Sequence, residues 1–307
     1  MSRLSEILPH PFKGLYNTVL SHPLTRDQKF RALSRFVRWQ AGSRILKRPV
    51  AIPYVEGTRL LLEQGMTGAT GNVYAGLHEF EDMSFVLHAL RPSSQFVDIG
   101  ANVGMYTVLA GGVAGASCLA AEPVPATYES LSDNVRLNKL GDRVDCQNVG
   151  VGEQEGELKF TDTGKSGANR VLRAPGTHGI EVPVTTLDKL AERVSPSDDV
   201  LIVKVDVEGW ETAVLKGGES VLSRSFPTAL VVELNGWGER YGFDDDRTHE
   251  DLVSKGYVPV DYEPFHRRLS RRNQRHDSGN TIYVNEVDFF SDRLENSNSY
   301  SVLDKKI

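Results

Sequence analysis

The sequence predicts an α/β chain: a mostly parallel sheet with helices on both faces, preceded by a helical extension. Three observations predict it. From residue 95 onward, short apolar runs alternate with helix-like stretches. One of these runs, Phe96-Val97-Asp98-Ile99, turns through Gly100 into a stretch with helical apolar spacing from Val103. The next run, Ser117-Cys118-Leu119-Ala120-Ala121, ends in an acid, Glu122, about 20 residues past that glycine turn.

In chain order, residues 1–76 read as an N-terminal helical extension and a segment that covers the site. From Arg26 to Arg48 there are eight Lys or Arg and one acid, Asp27, and Phe30, Leu33, Val37 and Trp39 interleave with Arg31, Arg35 and Arg38. A basic amphipathic helix of this kind can lie peripherally on an anionic membrane surface. The favoured alternative is a helix that caps the core, or caps a neighbouring subunit in a homo-oligomer, because many helices have a basic solvent face. Residues 51–76 are rich in Gly and Thr, with a strand-like piece at Thr58–Leu62 and a flexible lip over the site at Gly65–Gly76. Glu79–Leu90 reads as a helix that Pro92 ends.

Residues 77–290 read as the α/β domain. Strands are expected at 95–99, 117–121, 144–149, 200–205 and 228–233, and helices near 103–112, 125–139, 186–194, 209–223 and 246–255. Gly156–Phe160 and Ile180–Val184 read as an added hairpin, and Gly256–Tyr262 with Asn280–Val284 as a final, partly antiparallel pair. Asn134 and Asn138 are expected to face solvent from their helix. Residues 291–307 are polar and read as a loose C-terminal tail.

Composition bounds the function class. Of 307 residues, 39% are hydrophobic and 25% charged, which suits one large globular domain with an appendage. A net charge of −6 without a long basic stripe argues against a nucleic-acid partner. No run of 18 apolar residues is present, and Met1–Glu6 lacks an apolar signal core, so a cytoplasmic protein is expected. The two cysteines, Cys118 and Cys146, both fall in expected strands, as reduced thiols would; a disulfide needs those strands to pair.

The glycine turn carries the chemistry. A strand that turns into a helix at the carboxyl edge of a sheet presents backbone N–H groups to a ligand, and glycine lets the ligand approach. A dinucleotide fingerprint needs glycine at positions 100, 102 and 105, but Asn102 and Met105 stand at the last two. The chain instead reads D-x-G-x-x-x-G, with Asp98 inside the motif. That suits S-adenosylmethionine, which has no phosphate and carries a sulfonium and an α-amino group. Glu122 is placed to accept the ribose hydroxyl protons. The turn residues Gly100, Ala101, Asn102 and Gly104, with Asp98, Tyr106, Glu122, Pro123 and Asn148, make up the expected donor site. Asn148 enters it as the end of the third strand, near the adenine, and Tyr106 by its closeness to the turn.

Val97-Asp98-Ile99-Gly100-Ala101-Asn102-Val103-Gly104, Glu122-Pro123, Lys204-Val205-Asp206-Val207-Glu208-Gly209-Trp210-Glu211 and Val214-Leu215-Lys216-Gly217 stand in this order. Together they resemble the FkbM family of methyltransferases over about residues 74–260. The resemblance implies a Rossmann-like class I methyltransferase fold, S-adenosylmethionine as methyl donor, and O-methylation of a hydroxyl on a saccharide or a secondary metabolite.

Two apolar strands deliver carboxylates to the same sheet edge: Leu201–Val205 delivers Asp206 and then Glu208, and Ala229–Val232 delivers Glu233. A sugar hydroxyl is a poor nucleophile, so a general base helps by about 100-fold or more. Asp206 or Glu208 is the first choice for that base and Glu233 the second, with His249 and His266 as loop candidates. A divalent metal on the three carboxylates is a weaker alternative, because no His accompanies them. Glu208 has a structural alternative too, as an acid at a helix start. Five arginines in 266–276 suggest a clamp for an anionic group, against the plainer reading of a solvated loop. The rival functions are a nicotinamide-dependent oxidoreductase, which lacks its glycines here, and a catalytically inactive donor-binding scaffold.

Overall fold

Residues 19–162, 169–172, 178–193 and 199–307 are described by the computed structural model; Met1–Glu6 and the end of the 186–194 helix lie outside them. Eight strands form the central sheet: β3 (Gln95–Ile99), β4 (Ser117–Ala121), β5 (Val144–Gln147), β10 (Leu201–Val205), β11 (Thr228–Glu233), β12 (Val258–Glu263), β13 (Arg268–Arg271) and β14 (Asn280–Val284). Their spatial order is β13-β12-β14-β11-β10-β3-β4-β5. The five strands from β11 to β5 run parallel, and β14 is antiparallel to both β11 and β12. This is the expected Rossmann-like arrangement, with the topological switch between β3 and β10. The strands β3 and β10 are buried at every position because helices cover both faces of the sheet.

The faces alternate as the pleat requires. Phe96 and Ile202 pack in one core, with Phe85, Leu87 and Val231, and Val97, Ile99, Val203 and Val205 pack in the other. Between Phe96 and the turn, Asp98 takes an apolar position on the first of these faces. Its register partner on the neighbouring strand is Lys204. Two charged residues thus sit side by side in otherwise apolar strands.

The helices of the domain are α3 (Phe80–Ala89), α4 (Met105–Val108, continued by a π-helical turn, Leu109–Ala114), α5 (Pro125–Leu137), α6 (Leu187–Ala191), α7 (Glu211–Lys216), α8 (Glu219–Leu222), α9 (Asp245–Ser254) and α10 (Val287–Glu295). The stretch expected as one helix over 209–223 is two, broken at Gly217-Gly218. A Cβ at Gly217 would lie 2.1 Å from the Gly152 carbonyl, so the break lets the helix pass close to a neighbouring loop. The added hairpin is part of a second sheet of order β6-β9-β7-β8: β6 (Gly150–Val151), β7 (Gly156–Phe160), β8 (Val171–Leu172) and β9 (Ile180–Thr185).

Four expectations change. The lip at 65–76 contains a helix, α2 (Thr67–Ala75). Asn134 is fully buried, not solvent-facing: its side chain accepts from Leu61 N and donates to Val103 O at 2.8 Å. One turn on, Asn138 exchanges hydrogen bonds with the Arg59 main chain. These asparagines fasten β2 (Arg59–Leu62) of the N-terminal hairpin, paired with β1 (Val50–Pro53), to the domain. The tail is not loose. Tyr300, Val302 and Ile307 are buried, and β15 (Ser301–Val302) pairs with β16 (Lys305–Lys306). The fourth change concerns the arginine-rich loop. Arg267 holds the tail through Asn298 O, Ser299 Oγ and Ile307 O, while Arg268, Arg272 and Arg275 pair with Glu263, Asp261 and Asp246. Four of its five arginines are therefore engaged within the chain.

Cys118 and Cys146 lie on paired strands, but Cys118 stands opposite Val144 and Cys146 opposite Ala120, and both thiols are free. Among the described residues, no helix is long and apolar enough to cross a membrane.

Candidate active site

Register builds the site. Ile99 stands opposite Val205 on one side and Ala121 on the other, and Val205 stands opposite Val232. The residues that follow this aligned row are Gly100, Asp206, Glu122 and Glu233, so one glycine and three carboxylates meet at the carboxyl edge of the sheet. They line a cleft of about 270 Å³ together with Asp98, Ala101, Asn102, Tyr106, Pro123 and Glu208.

The turn differs from the sequence expectation in how it uses its backbone. Gly100 N and Ala101 N both donate to Ala121 O, Asn102 N donates to Glu122 Oε2, and Gly104 N donates to Ala101 O. The first three tie the turn to the end of β4 and the fourth closes the turn on itself, so none is free for a ligand. Gly100, at φ 76°, is required by the protein itself: a Cβ there would lie 1.9 Å from the Asp206 carbonyl. Gly104 does not line the cleft. A Cβ on it would lie 2.6 Å from Leu131, so this glycine lets α4 pack against α5. Asn148 is also outside the cleft; its amide donates to Glu122 O and Pro123 O, both at 2.9 Å, and so shapes the chain that carries Glu122.

What the turn offers a ligand is acceptors. Thr107 Oγ1 donates to Asp98 Oδ2 at 2.6 Å, while Asp98 Oδ1 is buried without a hydrogen-bond partner, as is Asn102 Oδ1. Burial raises the Asp98 carboxyl above its ordinary range, against the opposing pull of Lys204. Glu122 is 6% exposed, and its two oxygens accept from Asn102 N and Val124 N, both at 3.0 Å. Burial pushes this carboxyl up to about 7 despite those bonds. Each of its oxygens retains a lone pair for a ligand hydroxyl.

Lys204 is the site residue that the sequence reading missed. Its ammonium is 2.9 Å from Asp206 Oδ2 and 4.9 Å from the centroid of the Tyr106 ring. Burial opposes its charge, but Asp206, Asp98 and Glu79 outweigh burial and hold its pKa above the ordinary lysine value. The signal was a lone cation inside the valine-rich strand Leu201–Val205. Glu79 was missed as well; it lines the cleft and accepts from Tyr106 OH at 2.6 Å. His78 also lines the cleft, whereas His249 is bonded to Tyr283 OH and His266 sits beside Glu263, both outside it.

The three carboxylates expected to be catalytic are distinguished by their partners. Asp206 is committed to Lys204. Glu208 and Glu233 have no side-chain hydrogen bond or ion pair among the described residues. Burial and then Asp206 push Glu208 up to about 7, and burial with Asp206, Glu211 and Glu208 pushes Glu233 up to about 8. Glu208 does not cap α7. The acid in the first turn of α7 is Glu211, whose Oε1 accepts from Val207 N and Gly209 N and so fastens the loop before the helix. Glu208 instead holds a left-handed φ of 58°, a conformation that non-glycine residues adopt at a cost of about 1–2 kcal/mol. Among the described residues, no group of three or more His, Cys, Asp or Glu is arranged as a metal site.

A family model described as a methyltransferase FkbM domain matches residues 98–259. Methyltransferase 1 of Beauveria bassiana (strain ARSEF 2860) is 28% identical over 159 residues, 45% of this chain and 64% of that protein. The matched stretch thus falls short of two-thirds of that relative. Methyltransferase sdnD of Sordaria araneosa is 28% identical over 197 residues, 51% of this chain and 76% of that protein. Among solved structures, precorrin-6y C5,15-methyltransferase from Geobacter metallireducens GS-15 is similar at 12% identity, over 67% of this chain and 86% of that one, with a TM-score of 0.38. That likeness is too slight to bear on activity.

Proposed function

The chain belongs to the FkbM family of methyltransferases, and from that premise we propose that it uses S-adenosylmethionine to methylate a hydroxyl of a saccharide or a secondary metabolite. The observation that carries this reading is the buried, unpartnered Asp98 Oδ1 beside the aligned carboxylates of Glu122, Asp206 and Glu233. A buried acceptor without a partner needs a donor, because leaving it unmet costs about 1–3 kcal/mol. The ammonium of the methyl donor is such a group, and Glu122 is suited to the two ribose hydroxyls. When bound, S-adenosylmethionine supplies an electrophilic methyl group on a positively charged sulfur.

The chain's own residues divide the remaining work. Lys204 holds the Asp206 carboxylate and fixes the floor of the cleft. Glu208, unpartnered and held near 7 by burial, takes the acceptor's hydroxyl proton, and Glu233 is its nearest substitute. A base whose pKa lies close to neutrality is effective there. The lining carries Glu79, Asp98, Glu122, Asp206, Glu208 and Glu233 against one lysine. Such a lining repels polyanions and accepts hydroxyl donors, which favours a neutral polyol acceptor and disfavours a nucleic acid.

The test is calorimetry with S-adenosylhomocysteine and NAD, followed by turnover on neutral sugars. The protein is expected to bind the first and not the second. Glu208→Gln should keep its affinity for S-adenosylhomocysteine while turnover falls by about 100-fold or more. Binding of NAD alone would overturn the donor assignment. Full turnover in the Gln variant would move the base to Glu233.

A further inference from the structure

The N-terminal helix α1 (Lys29–Leu46) has two faces, and only one is accounted for by the fold. Ala32, Trp39 and Ser43 are buried against the rest of the chain, which is the expected capping role. The opposite face carries Phe30, Leu33, Val37 and Ile45. At 100° per residue they fall on one side of the helix. They are 92%, 39%, 55% and 78% exposed. A row of large apolar side chains this open is unusual on a protein surface and marks a surface for contact.

Charge identifies the contact. Residues 29–46 hold five Lys or Arg and no acid, and residues 26–48 hold eight against one, in a chain whose net charge is −6. The side chains of Arg26, Lys29, Arg38 and Arg48 make no hydrogen bond or ion pair among the described residues. A second copy of this helix would set one acid-free basic surface against another. An anionic bilayer supplies both what the apolar row needs and what the basic fringe needs. The remainder of the chain, rich in acid, is repelled from such a surface, so the α1 face is the part that approaches it.

We propose that α1 docks the protein on an anionic lipid surface, with Phe30, Leu33, Val37 and Ile45 entering the headgroup region and the flanking basic side chains lying at phosphate level. The helix lies in the plane of the interface and does not cross it, in keeping with its five charges. None of these residues belongs to the cleft, so the proposal stands apart from the methyl-transfer reading.

The test is co-sedimentation of the full chain with vesicles of phosphatidylcholine, alone or mixed with phosphatidylserine. Sedimentation is expected with the mixed vesicles only, and to fall as salt is raised. Arg38→Gln and Arg48→Gln should each lower the partition coefficient about fivefold, the equivalent of roughly 1 kcal/mol per charge. The triple variant Phe30→Ser, Val37→Ser, Ile45→Ser should lower it by about tenfold or more while thermal midpoint and S-adenosylhomocysteine affinity stay unchanged. Equal recovery with neutral and acidic vesicles, or none with either, overturns the proposal. So does a dimer seen by analytical ultracentrifugation that the triple variant abolishes in a protein that ignores vesicles, which would assign the row to a second copy.

Discussion

Replacing Lys204 by methionine tests how the cleft holds its carboxylates. Methionine keeps the length and packing of the stem and removes the charge. The lysine side chain is 4% exposed and its partner Asp206 is 31% exposed, so the pair is screened on one side only. Losing a charge-assisted hydrogen bond costs about 1.5–3 kcal/mol, and losing the contact with the Tyr106 ring adds about 1 kcal/mol. The carboxylates left behind can relieve part of this by taking up protons. The folded pKa values of Asp98, Glu208 and Glu233 already lie above the unfolded ones, by burial, and losing Lys204 raises them further. A raised carboxyl contributes stability that is present below its unfolded pKa and is lost as pH rises through its folded value. The destabilisation should therefore be larger at pH 8 than at pH 6: about 2–4 kcal/mol against roughly half that. In thermal scans this is a fall of about 3–6 °C at pH 8. An equal fall at both pH values would refute the argument from charge and leave packing as the cause. No fall at either would mean that the ion pair contributes nothing.

Two further predictions follow from the same carboxylates. Glu122→Ala should weaken S-adenosylhomocysteine binding by about 1.5–3 kcal/mol in calorimetry, with enthalpy lost, because two ligand hydroxyls lose their acceptor; unchanged affinity would remove Glu122 from the donor site. The ligand-free protein should lose stability between pH 6.5 and 8.5, as Glu122 and Glu211, both near 7, and Glu233, near 8, are forced to ionise. Below pH 6.5 His22 and His88, which burial holds down at about 4, oppose this trend because the unfolded chain takes up their protons first, but the raised carboxyls outnumber them. Each proton difference is worth about 1.4 kcal/mol per pH unit. A thermal midpoint that rises from pH 6.5 to 8.5 would contradict this.

The sequence alone determined the strand and helix series of the domain, because each buried strand is a short apolar run and each helix carries its own spacing. It also determined most of the cleft. Glu122, Asp206 and Glu233 stand at the ends of such runs and Asp98 inside one, and the ends of neighbouring parallel strands converge by register. What a motif conveys is position along one strand, and that is enough to bring these groups to one edge.

Tertiary structure decided which group does what. Gly100 reads in sequence as room for a ligand, but the Asp206 carbonyl on the adjoining strand occupies that space. Asn134 and Asn138 read as solvent-facing until β2, more than 70 residues earlier, supplies their backbone partners. The arginines of 266–276 read as a clamp until Asp246, Asp261, Glu263 and the chain terminus engage them. Lys204 and Asp206 lie two residues apart, yet the charge on the lysine depends on Asp98 and Glu79, which other elements bring to it. Local spacing thus fixed where each element and each motif begins and ends. The partner that satisfies a buried charge or amide comes from a distant part of the chain, and only packing selects it.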